Sequence, residues 1–233
     1  MSETLRAARV PELDALPGLV HGFERRAAPP GETREEARRR VEGALAGAGR
    51  LLLLKQVHGR ALVQAPWEGR PEADAALALT PGLLLGIETA DCLPVLVVDP
   101  GRRRVAAAHA GWRGTAAQVA REAVRALVAQ GAEPGELHAA LGPGIGPCCY
   151  EVGDDVRSAF GAAGAPFFRP GPRGRDHLDV RAANRAQLLA EGLSPQNIAV
   201  VDECTFCRPD LYHSYRRDGK ASGRMINFVG FAR

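Results

Sequence analysis

An uninterrupted apolar run at residues 93–98, Leu-Pro-Val-Leu-Val-Val, constrains the fold more than any other segment. A short run of this kind, bounded by turn signals, is typical of a strand that is buried on both faces. Further strands are predicted at 51–54, 61–64, 83–88, 104–108, 137–141, 198–201 and 225–231. Helices are predicted at 34–47, from an N-cap at Thr115 onwards, at 153–160 and at 180–192. This mixture, without a strict βαβ rhythm, indicates an α+β or mixed α/β fold.

The chain shows no internal repeat and no clear linker. Its 233 residues are enough to bury a core without disulfides or structural metals. The Pro/Gly-rich segment 164–175 is flanked by predicted helices that need packing partners, so we interpret it as a loop within one domain rather than as a linker between two. We therefore predict a single domain over residues 1–233.

Composition and charge exclude several classes of partner. The net charge is only +3, and the arginines are dispersed among acidic residues, which argues against nucleic-acid binding. No run approaches the ~20 apolar residues that span a bilayer, and the first residues lack the apolar region of a secretory signal. We expect a cytoplasmic protein, either a monomer or a homodimer, without nucleic-acid or membrane partners.

Three potential soft-metal ligands stand at strand ends. His58 follows the strand 51–54, Cys92 precedes the strand 93–98, and His109 follows the strand 104–108. If these strands are neighbours, the three side chains meet at one sheet edge, where two histidines and one cysteine suit Zn²⁺ and leave a coordination position open. Their intervals match no compact zinc motif, so two loop histidines and a buried thiol remain the alternative.

The other four cysteines are interpreted as ordinary thiols. An odd total of five cysteines argues against a disulfide framework. Cys204 and Cys207 form one C-x-x-C pair, but a Cys₄ zinc site needs a second pair, and the adjacent Cys148 and Cys149 have poor spacing for it. The glycine-rich segment 142–147 matches no nucleotide-binding motif and is either a structural turn or an anion pocket lined by backbone N–H groups.

Several arginines are candidate anion ligands. Arg113 is predicted at a helix N-terminus, where backbone N–H groups attract anions. Together with Arg216 and Arg224 it is a candidate for holding phosphate or a carboxylate. Each of them taken alone is better explained as a surface charge.

Five motifs, taken in order, resemble those of a known family. They are Lys55-Gln-Val-His58-Gly, Thr89-Ala-Asp-Cys92-Leu-Pro, His109-Ala-Gly-Trp-Arg-Gly-Thr115, the segment 142–152, and Ser214-Tyr-Arg-Arg-Asp218. Together they resemble the YfiH/YlmD family, also called the laccase-domain or multicopper polyphenol oxidase family. The resemblance extends from about His21-Gly22-Phe23 to the C-terminus.

The resemblance implies a four-layer α/β/β/α fold with mixed sheets and a zinc site formed by His58, Cys92 and His109. It also implies phosphorolysis of adenosine, inosine, guanosine and methylthioadenosine, and deamination of adenosine. Small-molecule nucleosides and phosphate are then the expected partners. Some members are instead described as editing peptidoglycan precursors by removing misplaced serine from the UDP-muramoyl intermediate.

Site roles follow from this expectation. His58, Cys92, His109 and Asp91 are the predicted catalytic residues, with Asp91 either a proton shuttle or a brace for a neighbouring loop. The predicted substrate-binding residues are Lys55, Arg113, Arg216 and Arg26. The chain departs from many members by lacking a Gly-Val-Ser and a Ser-Leu-Asn-Leu-Gly element after His21-Gly22-Phe23, so Arg26 is carried over only by position.

Three rival functions stay open from the sequence. A metal-free cysteine hydrolase would use Cys92 as nucleophile and His109 as base. A copper oxidase is disfavoured against zinc, because multicopper centres use many histidines, often as His-x-His pairs, whereas this chain has six histidines and no such pair. A non-catalytic binding module would need a closed, four-ligand metal site.

Overall fold

The computed structural model describes residues 5–26 and 32–233. The strands are β1 (Ala7–Ala8), β2 (Leu19–Glu24), β3 (Arg50–Leu53), β4 (Leu62–Gln64), β5 (Ala75–Ala78), β6 (Leu83–Thr89), β7 (Leu93–Asp99), β8 (Arg104–Ala110), β9 (His138–Leu141), β10 (Glu151–Val152), β11 (Phe168–Pro170), β12 (Asp176–Leu178), β13 (Ile198–Val200) and β14 (Met225–Phe231). The α-helices are α1 (Pro11–Asp14), α2 (Arg34–Leu45), α3 (Trp112–Ala116), α4 (Val119–Val128), α5 (Asp154–Phe160), α6 (Val180–Ala190) and α7 (Tyr215–Asp218). No helix in this part of the chain combines the length and apolar character that crossing a bilayer requires.

Two mixed sheets form the centre of the molecule. One has five strands in the order β1-β2-β14-β6-β3, and the other has six in the order β13-β9-β7-β8-β5-β4. Each combines antiparallel pairs with parallel ones, such as β3 with β6 and β13 with β9. A third, small antiparallel sheet has the strand order β10-β12-β11 and shares no strand with the two large sheets.

The strand β7 is buried on both of its faces. Leu96 and Val98 pack in the core between the two large sheets, whereas Val95 and Val97 pack in the core beneath α4 and α6. Because successive side chains of a strand point to opposite faces, a strand covered on both sides carries apolar residues at every position. This explains the uninterrupted run at 93–98.

The layers follow the predicted order. On the outer face of the five-stranded sheet, Val41 and Leu45 of α2 pack against apolar side chains of β3, β6 and β14. The order is therefore α2, five-stranded sheet, six-stranded sheet, and then α4 with α6. The four-layer α/β/β/α arrangement with mixed sheets is confirmed.

Helix α2 begins where its sequence predicts, whereas the helix after His109 does not. Thr33 and Glu36 form a capping box in which each side chain accepts a backbone N–H of the other residue. Thr115 is not an N-cap, because it lies buried inside α3 and its Oγ1 accepts a 2.9 Å hydrogen bond from Asn184. The helical conformation is interrupted instead at Gln118, which has φ of 66° and directly precedes α4.

The buried His21 should make stability depend on pH. Its Nε2 accepts the N–H of Val10 at 3.1 Å, and its side chain is fully buried. Burial, together with the nearby Arg9, lowers the pKa of His21 to about 4. The unfolded chain therefore binds a proton below its ordinary pKa while the folded chain does not, so this contribution to stability is complete at neutral pH and is lost as the pH falls toward 4.

We predict that this single group lowers the free energy of unfolding by about 2 kcal/mol between pH 7.5 and pH 5. Urea unfolding at both pH values, with His21→Gln as the comparison, measures it. A His21→Gln variant that loses as much stability on acidification as the wild type would contradict the prediction.

Candidate metal centre and active site

Cys92 lies where the chain crosses from one large sheet to the other. Strand β6 of the five-stranded sheet ends at Thr89, and β7 of the six-stranded sheet begins at Leu93. Asp91, in the crossing segment, has φ of 91°, a backbone conformation that non-glycine residues adopt sparingly. The polar stretch ahead of the apolar strand is therefore the link between the sheets, at one end of the sandwich.

The register of β7 and β8 places Gly111 beside Cys92. Leu93 pairs with Ala110, so the preceding Cys92 comes opposite Gly111. A Cβ on Gly111 would lie 2.8 Å from Cys92 Sγ, closer than such contacts allow. Glycine at this position leaves the space that the thiol occupies.

The adjacent register fixes His109. Ala75 of β5 pairs with Ala108 of β8, so Asp74 comes opposite His109. Asp74 Oδ1 lies 2.9 Å from His109 Nδ1, and both side chains are buried. Because this contact occupies Nδ1, Nε2 is the ring nitrogen left for a metal or for the Cys92 thiol.

The same carboxylate holds the loop that carries His58. Asp74 accepts the backbone N–H groups of Val57 at 3.2 Å, His58 at 2.9 Å and Gly59 at 2.6 Å. His58 has φ of 63°, a conformation that persists in a non-glycine residue only where the surroundings fix it. Asp74 is absent from the sequence-based candidates; the available signal was its position directly ahead of the apolar run Ala75–Leu79.

The three predicted ligands converge, although not in the predicted way. One ligand atom of each of His58, Cys92 and His109 lies within 4.8 Å of the others, and the two imidazole centroids are 4.9 Å apart. They do not share one sheet edge, because His58 follows β3 of the five-stranded sheet whereas Cys92 and His109 border β7 and β8 of the six-stranded sheet. The site is built across the end of the sandwich.

Charge in this cluster favours a thiolate. Burial alone would raise the pKa of Cys92, but the adjacent His109 and His58 lower it to about 6. Burial would likewise lower the pKa of His109, but Cys92 and Asp74 raise it above its ordinary value. A thiolate and two imidazole nitrogens are a donor set that suits zinc.

A cavity of about 690 Å³ opens onto the three side chains. Lys55, His58, Cys92 and His109 line it, together with eight further residues: Arg34, Arg38, Gln56, Arg70, Glu88, Ala90, Tyr215 and Arg224. These additional arginines, apart from Arg224, were not candidates from the sequence, because Arg34, Arg38 and Arg70 lie outside the five motifs.

The cavity arginines fall into two groups. Arg38 and Arg70 both donate to the carboxylate of Glu88, which neutralises part of their charge. Arg34 and Arg224 line the same cavity, and burial and the charge of Arg34 lower the pKa of Arg224. An anion bound by both guanidinium groups would offset their like charges.

Asp91 lies outside this cavity and is fully engaged. Its Oδ1 accepts the Thr205 hydroxyl at 2.6 Å, and its Oδ2 accepts the Arg216 backbone N–H at 2.7 Å. It lines a separate cavity of about 30 Å³, with Trp112 and Tyr150 among its neighbours.

Of the predicted substrate-binding residues, Lys55 lines the large cavity, where its Nζ also contacts Glu72 at 2.7 Å. The other three make different contacts: Arg113 stacks on Trp112, the Arg216 guanidinium donates to the Glu151 carbonyl, and Arg26 donates to the Pro209 carbonyl.

The four remaining cysteines, interpreted from the sequence as ordinary thiols, lie together in the structure. The sulfurs of Cys148, Cys149, Cys204 and Cys207 all lie within 4.8 Å of one another. Their spacing along the chain gave no sign of this, because the two pairs come from loops that the fold brings together.

Comparisons with known proteins agree with this architecture. A purine nucleoside phosphorylase of Deinococcus radiodurans is 44% identical over 199 residues, which cover 85% of this chain and 77% of that protein. Adenosine deaminase RL5, from an unknown prokaryote, is 40% identical over 69% of this chain and 62% of its own length. The crystal structure of YlmD from Geobacillus stearothermophilus superposes with a TM-score of 0.86 and 30% identity, covering 100% of this chain and 98% of that one.

The family model described as multi-copper polyphenol oxidoreductase laccase matches residues 30–232. A further crystal structure, YfiH of Bacillus licheniformis, is 24% identical with a TM-score of 0.87 over 99% of this chain and 98% of its own, which supports the fold. The resemblance drawn from the five sequence motifs is confirmed. The chain belongs to the YfiH/YlmD, or laccase-domain, family.

Proposed function

We propose that this protein is a zinc-dependent purine nucleoside enzyme that phosphorolyses adenosine, inosine, guanosine and methylthioadenosine and deaminates adenosine. The observation that carries the proposal is the convergence of His58, Cys92 and His109 on the wall of a cationic cavity large enough for a small molecule. The names of the phosphorylase and deaminase relatives support the substrate class.

The donor set supports zinc as the metal. Two imidazoles and one thiolate suit Zn²⁺, whereas Mg²⁺ and Ca²⁺ take oxygen ligands. Among residues 5–26 and 32–233, the only histidines that join a cluster of potential ligands are His58 and His109, which does not favour a multicopper centre. Lewis acidity toward a group in the open coordination position is the chemistry that zinc supplies in such a site. Asp74 orients the His109 ring through its contact with Nδ1, which leaves Nε2 for the metal.

For phosphorolysis, an oxygen of phosphate attacks C1′ of the ribose while the bond from C1′ to the purine nitrogen breaks. The base leaves with the electron pair and takes up a proton. The transition state has oxocarbenium character, so a correctly placed phosphate anion is the main requirement. We assign the phosphate to Arg34 and Arg224 with help from Lys55, and the purine to the exposed ring of Tyr215 beside Arg224.

Deamination uses the same cavity, where water replaces the amino group at C6 of adenine and ammonia leaves. Asp91 is ill placed to move protons in that step, because both of its oxygens accept hydrogen bonds from Thr205 and Arg216. We assign Asp91 the bracing role: it ties the link between the sheets to the segment that carries Thr205 and Tyr215.

A metal-free cysteine hydrolase, acting on an amide such as that of a muramoyl-serine precursor, is the second candidate. The contacts of Cys92, His109 and Asp74 favour it, because a thiol of lowered pKa, an imidazole and a carboxylate in series are the parts of a nucleophilic triad. A chelator that leaves turnover intact, combined with inactivation by Cys92 alkylation, would select this function over the zinc enzyme.

The assay of the main proposal measures purine release from inosine, guanosine, adenosine and methylthioadenosine with and without phosphate, and inosine formation from adenosine. Phosphate-dependent base release is the expected result. If neither base release nor deamination occurs with the zinc-loaded protein, the proposal fails.

Substitution of Arg224 should weaken phosphate binding selectively. We predict that Arg224→Gln and Arg34→Gln each raise the KM for phosphate about tenfold or more, the range expected for a lost charged hydrogen bond. Arg39→Gln is the matched control, because Arg39 is an exposed arginine of the same helix as Arg34 and does not line the cavity. An unchanged KM for phosphate in both cavity variants would contradict the assignment.

A methyl group at Gly111 should disturb the metal without removing a ligand. In Gly111→Ala the new Cβ meets Cys92 Sγ, whereas in Gly59→Ala the nearest contact is an ordinary 3.6 Å to Asp74. The measured quantity is the free zinc concentration at which half of Cys92 is protected from alkylation. We predict that Gly111→Ala raises this concentration about tenfold or more.

Peptide mass spectrometry of the Cys92 peptide makes the zinc measurement specific to this site. Gly59→Ala should resemble the wild type. The same half-protecting zinc concentration in Gly111→Ala and Gly59→Ala would contradict the role assigned to Gly111 in placing Cys92 Sγ for the metal.

A further inference from the structure

The second cysteine cluster consists of Cys148, Cys149, Cys204 and Cys207, and no part of the proposed reaction uses it. All four are free thiols in the structure. Cys207 Sγ lies 3.7 Å from Cys148 Sγ and 3.3 Å from Cys149 Sγ. The cluster is thus the meeting point of two loops, residues 142–150 after β9 and residues 201–214 after β13.

These distances are those of sulfurs around one ion. Zinc–thiolate bonds of about 2.3 Å in a tetrahedron place neighbouring sulfurs ~3.8 Å apart. The observed 3.7 Å is close to that value, 3.3 Å is somewhat shorter, and every pair lies within 4.8 Å. A disulfide needs sulfurs about 2.05 Å apart and uses them in pairs, so it would leave the convergence of four unexplained.

The protein positions these sulfurs through its backbone. Gly144 forms an isolated parallel bridge with Cys204, and the Gly146 N–H donates to Cys204 Sγ at 3.2 Å. Arg217 donates to the carbonyls of Thr205 and Phe206, the two residues between Cys204 and Cys207. The C-x-x-C turn is therefore shaped largely by contacts of its backbone, in addition to the hydrogen bond that Cys204 Sγ accepts.

We propose that Cys148, Cys149, Cys204 and Cys207 bind a second metal ion, a soft divalent cation of the zinc type, in a closed four-thiolate structural site. Four protein ligands leave no open position, which is the arrangement of structural rather than catalytic zinc. Cys148 and Cys207 are exposed, which gives the ion a path from solvent.

In this proposal the ion also stabilises the neighbouring site of His58, Cys92 and His109, through the two loops that carry the four cysteines. Thr205, within the C-x-x-C turn, is fully buried and donates its hydroxyl to Asp91, one residue before Cys92. On the other loop, the Ile145 N–H donates to the Asp91 carbonyl at 2.8 Å. Both loops thus hold the link that carries Cys92, while none of the four cysteines lines the substrate cavity.

Metal content of the full-length protein, loaded with zinc under reducing conditions, tests the proposal. Wild type, Cys207→Ser, Cys92→Ala and the double variant are compared by elemental mass spectrometry. Cys207→Ser should bind one zinc fewer than the wild type, and the double variant fewer than either single variant. Because Cys92→Ala reports the other site separately, failure of one site is distinguishable from failure of the other. Equal zinc in Cys207→Ser and wild type overturns the proposal.

A measurement on the wild type covers the case in which Cys207→Ser does not fold. Cys148, Cys149, Cys204 and Cys207 should resist alkylation in the zinc-loaded protein and react after a chelator is added, as followed by peptide mass spectrometry. Rapid alkylation without chelator, or a mass lower by two hydrogens that reports a disulfide, overturns the four-thiolate site.

Discussion

The buried carboxylate of Asp74 is the interaction on which the rest of the site depends. It contacts His109 on β8 and accepts three successive N–H groups of the loop after β3, so it joins the two large sheets at the end of the sandwich. An isolated buried charge is costly, but these contacts satisfy it. Burial alone would raise the pKa of Asp74, yet the hydrogen bonds from His109 and from the loop hold it below its ordinary value.

The two proposed metal sites differ in their surroundings. His58, Cys92 and His109 face a cavity and offer three ligands, whereas the four-cysteine cluster is closed and lies behind the link that contains Asp91. Positive charge on the cavity wall comes chiefly from Arg34 and Arg224, because Glu88 neutralises part of the charge of Arg38 and Arg70. The cavity is thus suited to an anionic reactant beside a soft metal.

Much of the fold followed from local patterns. The double-sided burial of β7, the capping box of α2 and the layer order were predictable, because they depend on periodicity and on a well-defined family resemblance. The candidate ligands His58, Cys92 and His109 were also named from the sequence, but their arrangement across two sheets was not, since it arises from strand pairing between distant segments. The absence of nucleic-acid partners, a cytoplasmic location and a monomer or homodimer stay predictions.

The parts that sequence reasoning missed share one physical cause. Asp74, Arg34, Arg70 and the cysteine cluster acquire meaning only from contacts between segments far apart in the chain. Cys148 and Cys149 looked unsuited to a metal because spacing rules assume that each pair of ligands comes from one compact turn. Thr115 is a residue type favoured as an N-cap, but its hydroxyl oxygen instead accepts a hydrogen bond from the side chain of Asn184 in a neighbouring helix.

The central claim is that Cys92 acts as a metal ligand in a nucleoside-processing site. The most direct test measures bound zinc and nucleoside turnover on the same samples of wild type and Cys92→Ala. The account predicts that Cys92→Ala loses the zinc of this site and the turnover together. Turnover that persists in Cys92→Ala without that zinc would contradict it.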